Sequence, residues 1–247
     1  HEQPILPADL GFYDLRVPEI RKEQAKLAKE YGIDGFIYYQ YWFGNGKMLL
    51  ERPAEEMLKD KEIVLPFCFC WANETWKGIW HGLDNPDVLI DQKYNGKEDY
   101  INYFNYLLPF FKDERYIKVE NKPMFHVYKL EDIPDLEIFI EIFDNLAIQE
   151  GFSGVHFVAT ICSDSLLNNE SIYGKVGVDV FMKMRYGQDC LFTEKSIFVR
   201  IERKLKRIRR KTFKSTKYID SRSKQLIFDY KTGISNLNTE FPNKKYI

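Results

Sequence analysis

The sequence predicts an α/β fold in which parallel strands carry their helices outside. Three observations predict it. Phe67-Cys68-Phe69-Cys70 is an apolar run with no polar face, the pattern of a strand covered on both sides. Gly32-Ile33-Asp34-Gly35-Phe36-Ile37-Tyr38-Tyr39 reads as a second strand and runs through Gln40, Tyr41, Trp42 and Phe43 into the turn signal Gly44-Asn45-Gly46. Between such runs lie stretches with helical spacing, and regular alternation of the two implies a parallel sheet.

The elements follow in order. Residues 14–31 predict a helix, with Pro18 in its first turn and Gly32 just past its end. Ile20, Ala25, Leu27, Ala28 and Tyr31 form its apolar stripe. A strand is expected over 33–39, a short helix over 53–60 and the apolar strand over 64–71. Residues 87–92 read as a brief extended piece. Residues 98–111, rich in Tyr, Phe and Leu, predict a helix. Pro123 to Val127 predicts a strand ending in Tyr128, and 133–149 the next helix. Two more strands are expected over 154–159 and 178–182. A basic helix over 195–211 closes the pattern. No repeat, low-complexity tract or linker interrupts it, so residues 1–247 are read as a single domain.

Composition narrows the function. The chain is 45% hydrophobic and 30% charged, with a formal net charge of −1. A nucleic-acid protein needs a broad positive field, so none is expected as a partner. The aromatic share of 16% favours a large pocket or a carbohydrate site. Cys68, Cys70, Cys162 and Cys190 form no Cys-x-x-Cys motif, and His1, His81, His126 and His156 have no metal-ligand spacing. The thiols read as reduced core residues of a cytoplasmic protein, and neither a metal nor a cofactor is expected. No stretch approaches the ~20 apolar residues of a membrane span. From Arg200 to Lys217 there are ten Lys and Arg and one Glu. Phe198, Ile201, Leu205 and Ile208 give that helix an apolar stripe, so its basic face is either solvated or meets an anionic carrier or membrane surface.

The candidate site lies where the strands stop. In parallel sheets the carboxyl ends of strands are where chemistry is placed. The apolar run of residues 67–70 ends in Trp71-Ala72-Asn73-Glu74-Thr75-Trp76. A carboxylate and an amide between indoles suit a sugar: indole faces pack on the C–H faces of a pyranose, while the polar groups bond its hydroxyls. Trp42, Trp71 and Trp76 are candidate stacking platforms, and Tyr39, Tyr41 and Tyr128 candidate walls. Glu74 is the candidate acid/base or hydroxyl-binding carboxylate, with Asn73 beside it. Asp14 is either a further substrate-binding carboxylate or a helix N-cap.

Several blocks together carry a resemblance. They are Leu6-Pro7-Ala8-Asp9-Leu10-Gly11-Phe12-Tyr13-Asp14-Leu15-Arg16, Glu30-Tyr31-Gly32-Ile33-Asp34-Gly35-Phe36, Tyr38-Tyr39-Gln40-Tyr41-Trp42-Phe43, Leu49-Leu50-Glu51-Arg52-Pro53, Pro66 through Glu74, and Asp113 through Tyr128. The chain resembles WbsX-type proteins, which are similar to glycoside hydrolase family 99 and are often labelled glycosyltransferases of surface-polysaccharide assembly. The resemblance is dense over residues 6–128 and faint afterwards.

It implies a (β/α)8 TIM-type barrel with a sugar site at the carboxyl ends of its strands. It also implies gaps. The family's opening Leu-Pro-Gln-Phe-His block and its late Asn-Glu-Trp-x-Glu-Gly block are not in this sequence, and in family 99 the carboxylates of the late block perform hydrolysis. Gln40 stands where the family generally has His, and Phe181-Met182-Lys183-Met184-Arg185 replaces a more acidic strand end. The expectation is therefore an incomplete barrel, truncated at both ends, from a protein that cleaves or transfers glycosyl units of a bacterial surface polysaccharide such as lipopolysaccharide O-antigen, capsule or exopolysaccharide. The alternative is a non-catalytic glycan-binding protein or an inactive fragment. The expected partner is an oligo- or polysaccharide.

Overall fold

The computed structural model describes residues 6–78, 87–161, 174 and 177–183. Contacts divide the chain into two compact units, residues 1–182 and 183–246, and the fold below is that of the first. The expected basic helix over 195–211, with Cys162 and Cys190, lies outside the described residues.

The element order is α1 (Pro18–Glu30), β1 (Phe36–Trp42), β2 (Met48–Leu49), α2 (Arg52–Lys59), β3 (Phe67–Trp71), β4 (Trp76–Lys77), β5 (Val88–Ile90), α3 (Lys97–Phe111), β6 (Lys118–Val119), β7 (Lys122–Val127), α4 (Leu136–Gln149), β8 (His156–Ile161) and β9 (Val180–Lys183). The main sheet runs β2-β1-β3-β7-β8-β9, with β6 beside β7. β1, β3, β7 and β8 are mutually parallel neighbours. The result is a mixed α/β fold.

The extended piece expected over 87–92 is β5, paired antiparallel with β4; β2, β4 and β6 escaped the sequence reading because each is only two residues long. β2 folds back on β1 through Gly44-Asn45-Gly46, all three at positive φ. β6 folds back onto β7 through Glu120 and Asn121, also both at positive φ, the backbone of a tight hairpin turn.

Strand periodicity sorts the side chains into two faces. Tyr38, Phe69, Phe125 and Phe157 form one row across the sheet, and Gln40, Trp71, Val127 and Ala159 the next row on that face. Helices α3 and α4 pack here. The Phe69 ring meets Phe110 at 4.9 Å, Trp71 meets Tyr103 at 5.1 Å, and Phe139 meets Phe157 at 5.9 Å. Phe139 and Phe143, one helical turn apart on α4, lie 4.4 Å apart. Edge-to-face and tilted pairs of this kind add to the area buried. Tyr39, Cys70, His126 and Val158 form the row on the opposite face.

Several boundaries moved: β3 and α4 each start three residues later than expected, at Phe67 and Leu136. Helix α1 begins at Pro18, with Val17 at the N-cap and no side-chain cap. Strand β1 starts three residues later than expected and runs on to Trp42. The expected strand-end cluster of Gln40, Tyr41 and Trp42 is therefore strand, and its side chains alternate between faces. At the other end of the sheet, the buried Arg115 guanidinium donates to the carbonyls of Asp60, Ile63, Met57 and Leu58 and pairs with Asp113. It satisfies the carbonyls left over at the end of α2.

Among the described residues no helix is long and apolar enough to cross a membrane.

Candidate functional site

Past the carboxyl ends of β1, β3 and β7 the chain keeps its ladder for one more step. The Ala72 N–H donates to Gln40 O at 2.9 Å, and the Tyr128 N–H donates to Trp71 O at 3.0 Å. These bonds hold Ala72 and Tyr128 beside Tyr39 and Tyr41 on the face away from α3 and α4. A cleft of about 170 Å³ opens there, lined by Tyr39, Tyr41, Ala72, Glu74, Trp76 and Tyr128. Ala72 leaves the floor bare, and aromatic rings make the walls.

The walls support one another edge to face. Tyr39 and Tyr128 lie 6.1 Å apart at 80°, and Tyr41 and Trp76 lie 5.2 Å apart at 81°. Phe43 backs the Trp76 indole at 5.6 Å. The hairpin β4–β5 carries Trp76, whose register partner is Ile90. Thr75 fixes the approach to that hairpin, donating to Asp91 at 3.0 Å and accepting the Gln92 N–H at 3.0 Å. Partial burial raises the pKa of the Tyr41 hydroxyl, with Cys70 adding to the shift, so it stays neutral and remains a donor.

Glu74 enters this cleft as one half of an ion pair. Its Oε1 lies 2.5 Å from Lys129 Nζ, and both side chains are about one-third exposed. Burial works against the Lys129 charge, but the hydrogen bond and field of Glu74 outweigh it and raise the ammonium's pKa. Lys129 is accordingly charged at neutral pH and faces the Glu74 carboxylate.

Asn73 makes the pair possible. Its Nδ2 donates to Lys129 O at 2.7 Å and to the Tyr94 hydroxyl at 2.9 Å, while its Oδ1 accepts the Lys129 N–H at 2.8 Å. The amide therefore spans both backbone polar groups of Lys129.

The candidates divide accordingly. Glu74, Tyr39, Tyr41, Trp76 and Tyr128 come together around one cleft. Asn73 is only 1% exposed, with its amide committed to the protein, so the expected bond to a substrate hydroxyl is corrected to a backbone clamp. Trp42 and Trp71 are corrected as well, because indoles 4% and 1% exposed have no free face. Trp42 stacks on Tyr103 at 4.7 Å beneath helix α3, and the Trp71 Nε1–H donates to Trp42 O at 3.0 Å. Asp14 is not among the residues lining the cleft. Nor is it the N-cap of α1: its carboxylate binds the Arg16 guanidinium and backbone N–H, which hold its pKa down to about 2.

Sequence reasoning missed Lys129. The signal was its place one residue after Tyr128, just past the last residue of β7, where a parallel neighbour of β3 must bring it near Glu74. His126 is buried on the cleft-side face of the sheet with both ring nitrogens unpartnered, and it is not among the residues lining the cleft. Burial first, and His156 second, push its pKa down to about 4, so the imidazole is neutral. Among the described residues no group of His, Cys, Asp and Glu is arranged to hold a metal ion.

Comparisons with known proteins extend the picture. The family model described as Glycosyltransferase WbsX matches residues 1–247. Two curated relatives, each called uncharacterized protein WxcX and found in two strains of Xanthomonas campestris pv. campestris, are 45% identical over 135 residues, covering 55% of this chain. The chain's match takes in 19% of those relatives' length. Among solved structures, the GH99 endo-alpha-mannosidase from Bacteroides thetaiotaomicron in complex with BIS-TRIS-propane superposes with a TM-score of 0.48 at 14% identity, covering 83% of this chain and 57% of that one. A glycoside hydrolase-like protein superposes with a TM-score of 0.49 at 12% identity, covering 80% of this chain and 57% of the other.

Proposed function

We propose, for a chain that belongs to the WbsX glycosyltransferase family, that the cleft at the carboxyl ends of β1, β3 and β7 is a saccharide site of a (β/α)8-type barrel. The whole protein then cleaves or transfers glycosyl units of a bacterial surface polysaccharide, working on it or its precursor in the cytoplasm. The observation that carries this reading is the composition of one small space: aromatic side chains wall it, and an ion-paired carboxylate sits at its edge. Apolar C–H faces of a sugar ring pack on Trp76 and the tyrosines. Glu74 accepts, and Lys129 and the tyrosine hydroxyls donate, to the ring's hydroxyls.

A second reading has its own support. Reaction at an anomeric centre uses two carboxylates, one to protonate the leaving oxygen and one to attack or activate water. Among the described residues lining the cleft, Glu74 is the sole carboxylate. That favours a glycan-binding role for this part of the molecule.

One experiment tests both readings. Oligosaccharides released from the surface polysaccharide of the source cell are titrated into the protein by calorimetry, and product is followed by chromatography. Binding that Trp76→Ala abolishes supports the cleft. Turnover supports the enzyme, and binding without turnover the second reading. Binding that survives Trp76→Ala and Glu74→Gln unchanged refutes the cleft.

A further inference from the structure

We infer that Glu74 and Lys129 act as one unit, a preset acceptor–donor pair that reads two adjacent hydroxyls of a sugar, and that Asn73 is the positioning residue that sets it. The inference rests on the saccharide reading of the cleft and adds a specificity element to it.

The geometry begins in the backbone. Asn73 bonds both the N–H and the C=O of Lys129, at 2.8 and 2.7 Å. A side-chain amide used this way replaces one rung of a sheet ladder beyond the ends of β3 and β7. Its third bond, to the Tyr94 hydroxyl at 2.9 Å, fixes the amide's orientation. The next residue along the chain is Glu74, so the clamp delivers its carboxylate to Lys129 Nζ, 2.5 Å away. The clamp is buried and the pair is not, which separates a rigid support from an accessible head.

The chemistry follows from what the pair has left. An ionised carboxylate has about four lone-pair directions and an ammonium has three N–H donors. Their mutual contact uses one of each. Asp132, 4.0 Å from Lys129 Nζ, is too distant to take a strong second bond. Neighbouring hydroxyls on a pyranose each have a proton to give and lone pairs to receive. A side-by-side acceptor and donor matches that motif, whereas two carboxylates or two amines match it less well. Charge-assisted bonds of this type are the stronger class. The same contact turns Glu74 Oε1 toward the Lys129 ammonium, so within this unit Glu74 takes the acceptor's part.

The test uses the intact protein and a panel of methyl glycosides of common hexoses and 6-deoxyhexoses, with binding followed by saturation-transfer NMR. Lys129→Met, Lys129→Arg, Glu74→Gln and Trp76→Ala are compared, with circular dichroism to confirm folding. For a glycoside that binds, Lys129→Met and Glu74→Gln are each expected to weaken affinity by about tenfold to a hundredfold. Their combination should lose much less than the product of the two, because they remove one unit. Lys129→Arg should recover most of the affinity, and a deoxy analogue lacking one hydroxyl of the pair should bind Lys129→Met and the parent protein equally.

If Trp76→Ala abolishes binding while Lys129→Met leaves it unchanged, the inference is overturned and the cleft stands. Fully independent losses in the double variant also overturn it. If no glycoside of the panel binds, or binding survives Trp76→Ala and Glu74→Gln unchanged, the saccharide reading of the cleft itself fails, and the inference fails with it.

Discussion

Asp99, in the first turn of α3, accepts the indole N–H of Trp42 at 3.1 Å and the backbone N–H of Asn45 at 2.8 Å. One buried carboxylate thus ties the end of β1 and its turn to the helix above. This bond is why Trp42 belongs to the core. Its indole has a polar partner inside and a stacked ring, Tyr103, above it.

Removing that carboxylate takes the acceptor from three donors, the Trp42 indole, the Asn45 backbone and, at 3.3 Å, the Asn95 amide. Asp99→Ala should therefore destabilise the fold by about 2–3 kcal/mol, the cost of losing bonds to a charged acceptor and burying the orphans. Urea unfolding measures it, and a loss under ~0.5 kcal/mol would show that water replaces the carboxylate.

The two tryptophan classes should separate cleanly. Trp42→Ala removes a fully packed indole and should cost about 3–5 kcal/mol of stability. Trp76→Ala removes a wall of the cleft and should cost much less, while weakening saccharide binding. Unfolding curves and a glycan titration, run on both variants, distinguish core from wall.

This division also shows what the sequence made legible. The apolar run Phe67–Cys70 reads as a central parallel strand because no polar residue assigns it an outer face, and the structure has β1 and β7 on either side of it. Tyr39 and Tyr41 against Gln40 and Trp42 were harder. The faces follow from period two only once the strand's end is known, and the turn at Gly44 sits two residues beyond Trp42. Tertiary contacts decided the rest. Nothing local to Asn73 reveals that its amide closes on a residue 56 positions later in the chain, and Lys129 acquires its place only when β7 lies beside β3.

Gly44 marks that turn and should resist substitution. It holds φ +93°, and a Cβ there would lie 2.5 Å from Asn95 Nδ2 and 2.8 Å from the Lys93 carbonyl. The side chain of Asn95 can move, but the carbonyl is backbone. Gly44→Ala combines left-handed strain of about 1–2 kcal/mol with that clash. Thermal unfolding should show a clear fall, and an unchanged midpoint would mean that the turn relaxes.

His126 predicts a pH dependence. Above about 6.5 the imidazole is neutral in both folded and unfolded chains. Between there and the folded value of about 4, the unfolded chain takes up a proton that the buried ring refuses. Stability should fall as pH drops through this window, by up to about 3 kcal/mol. Asp113 acts lower down: Arg115 and Lys61 depress its carboxyl, so its contribution holds above the ordinary carboxylate range and fades beneath it. His126→Leu should flatten the pH 4–6.5 limb, measured by urea midpoints across pH. A slope that persists in the variant would assign it to other groups.

The last prediction reads the ion pair without any ligand. In the parent protein burial lowers the Lys129 pKa, and the hydrogen bond and charge of Glu74, helped by Asp132 and Glu131, more than restore it. Glu74→Gln keeps the shape, removes the charge and leaves only the weaker hydrogen bond to a neutral amide oxygen, so burial becomes the main influence. The Lys129 pKa should therefore drop, from above the ordinary lysine value of 10.5 to below it. Lysine side-chain NMR across a pH titration follows that resonance directly, and Lys129→Arg identifies it. Circular dichroism should show an intact fold, since the clamp on the Lys129 backbone belongs to Asn73. A Lys129 pKa that stays above 10.5 in Glu74→Gln would mean that Asp132 and Glu131 hold the ammonium, and that the 2.5 Å contact does not govern its charge.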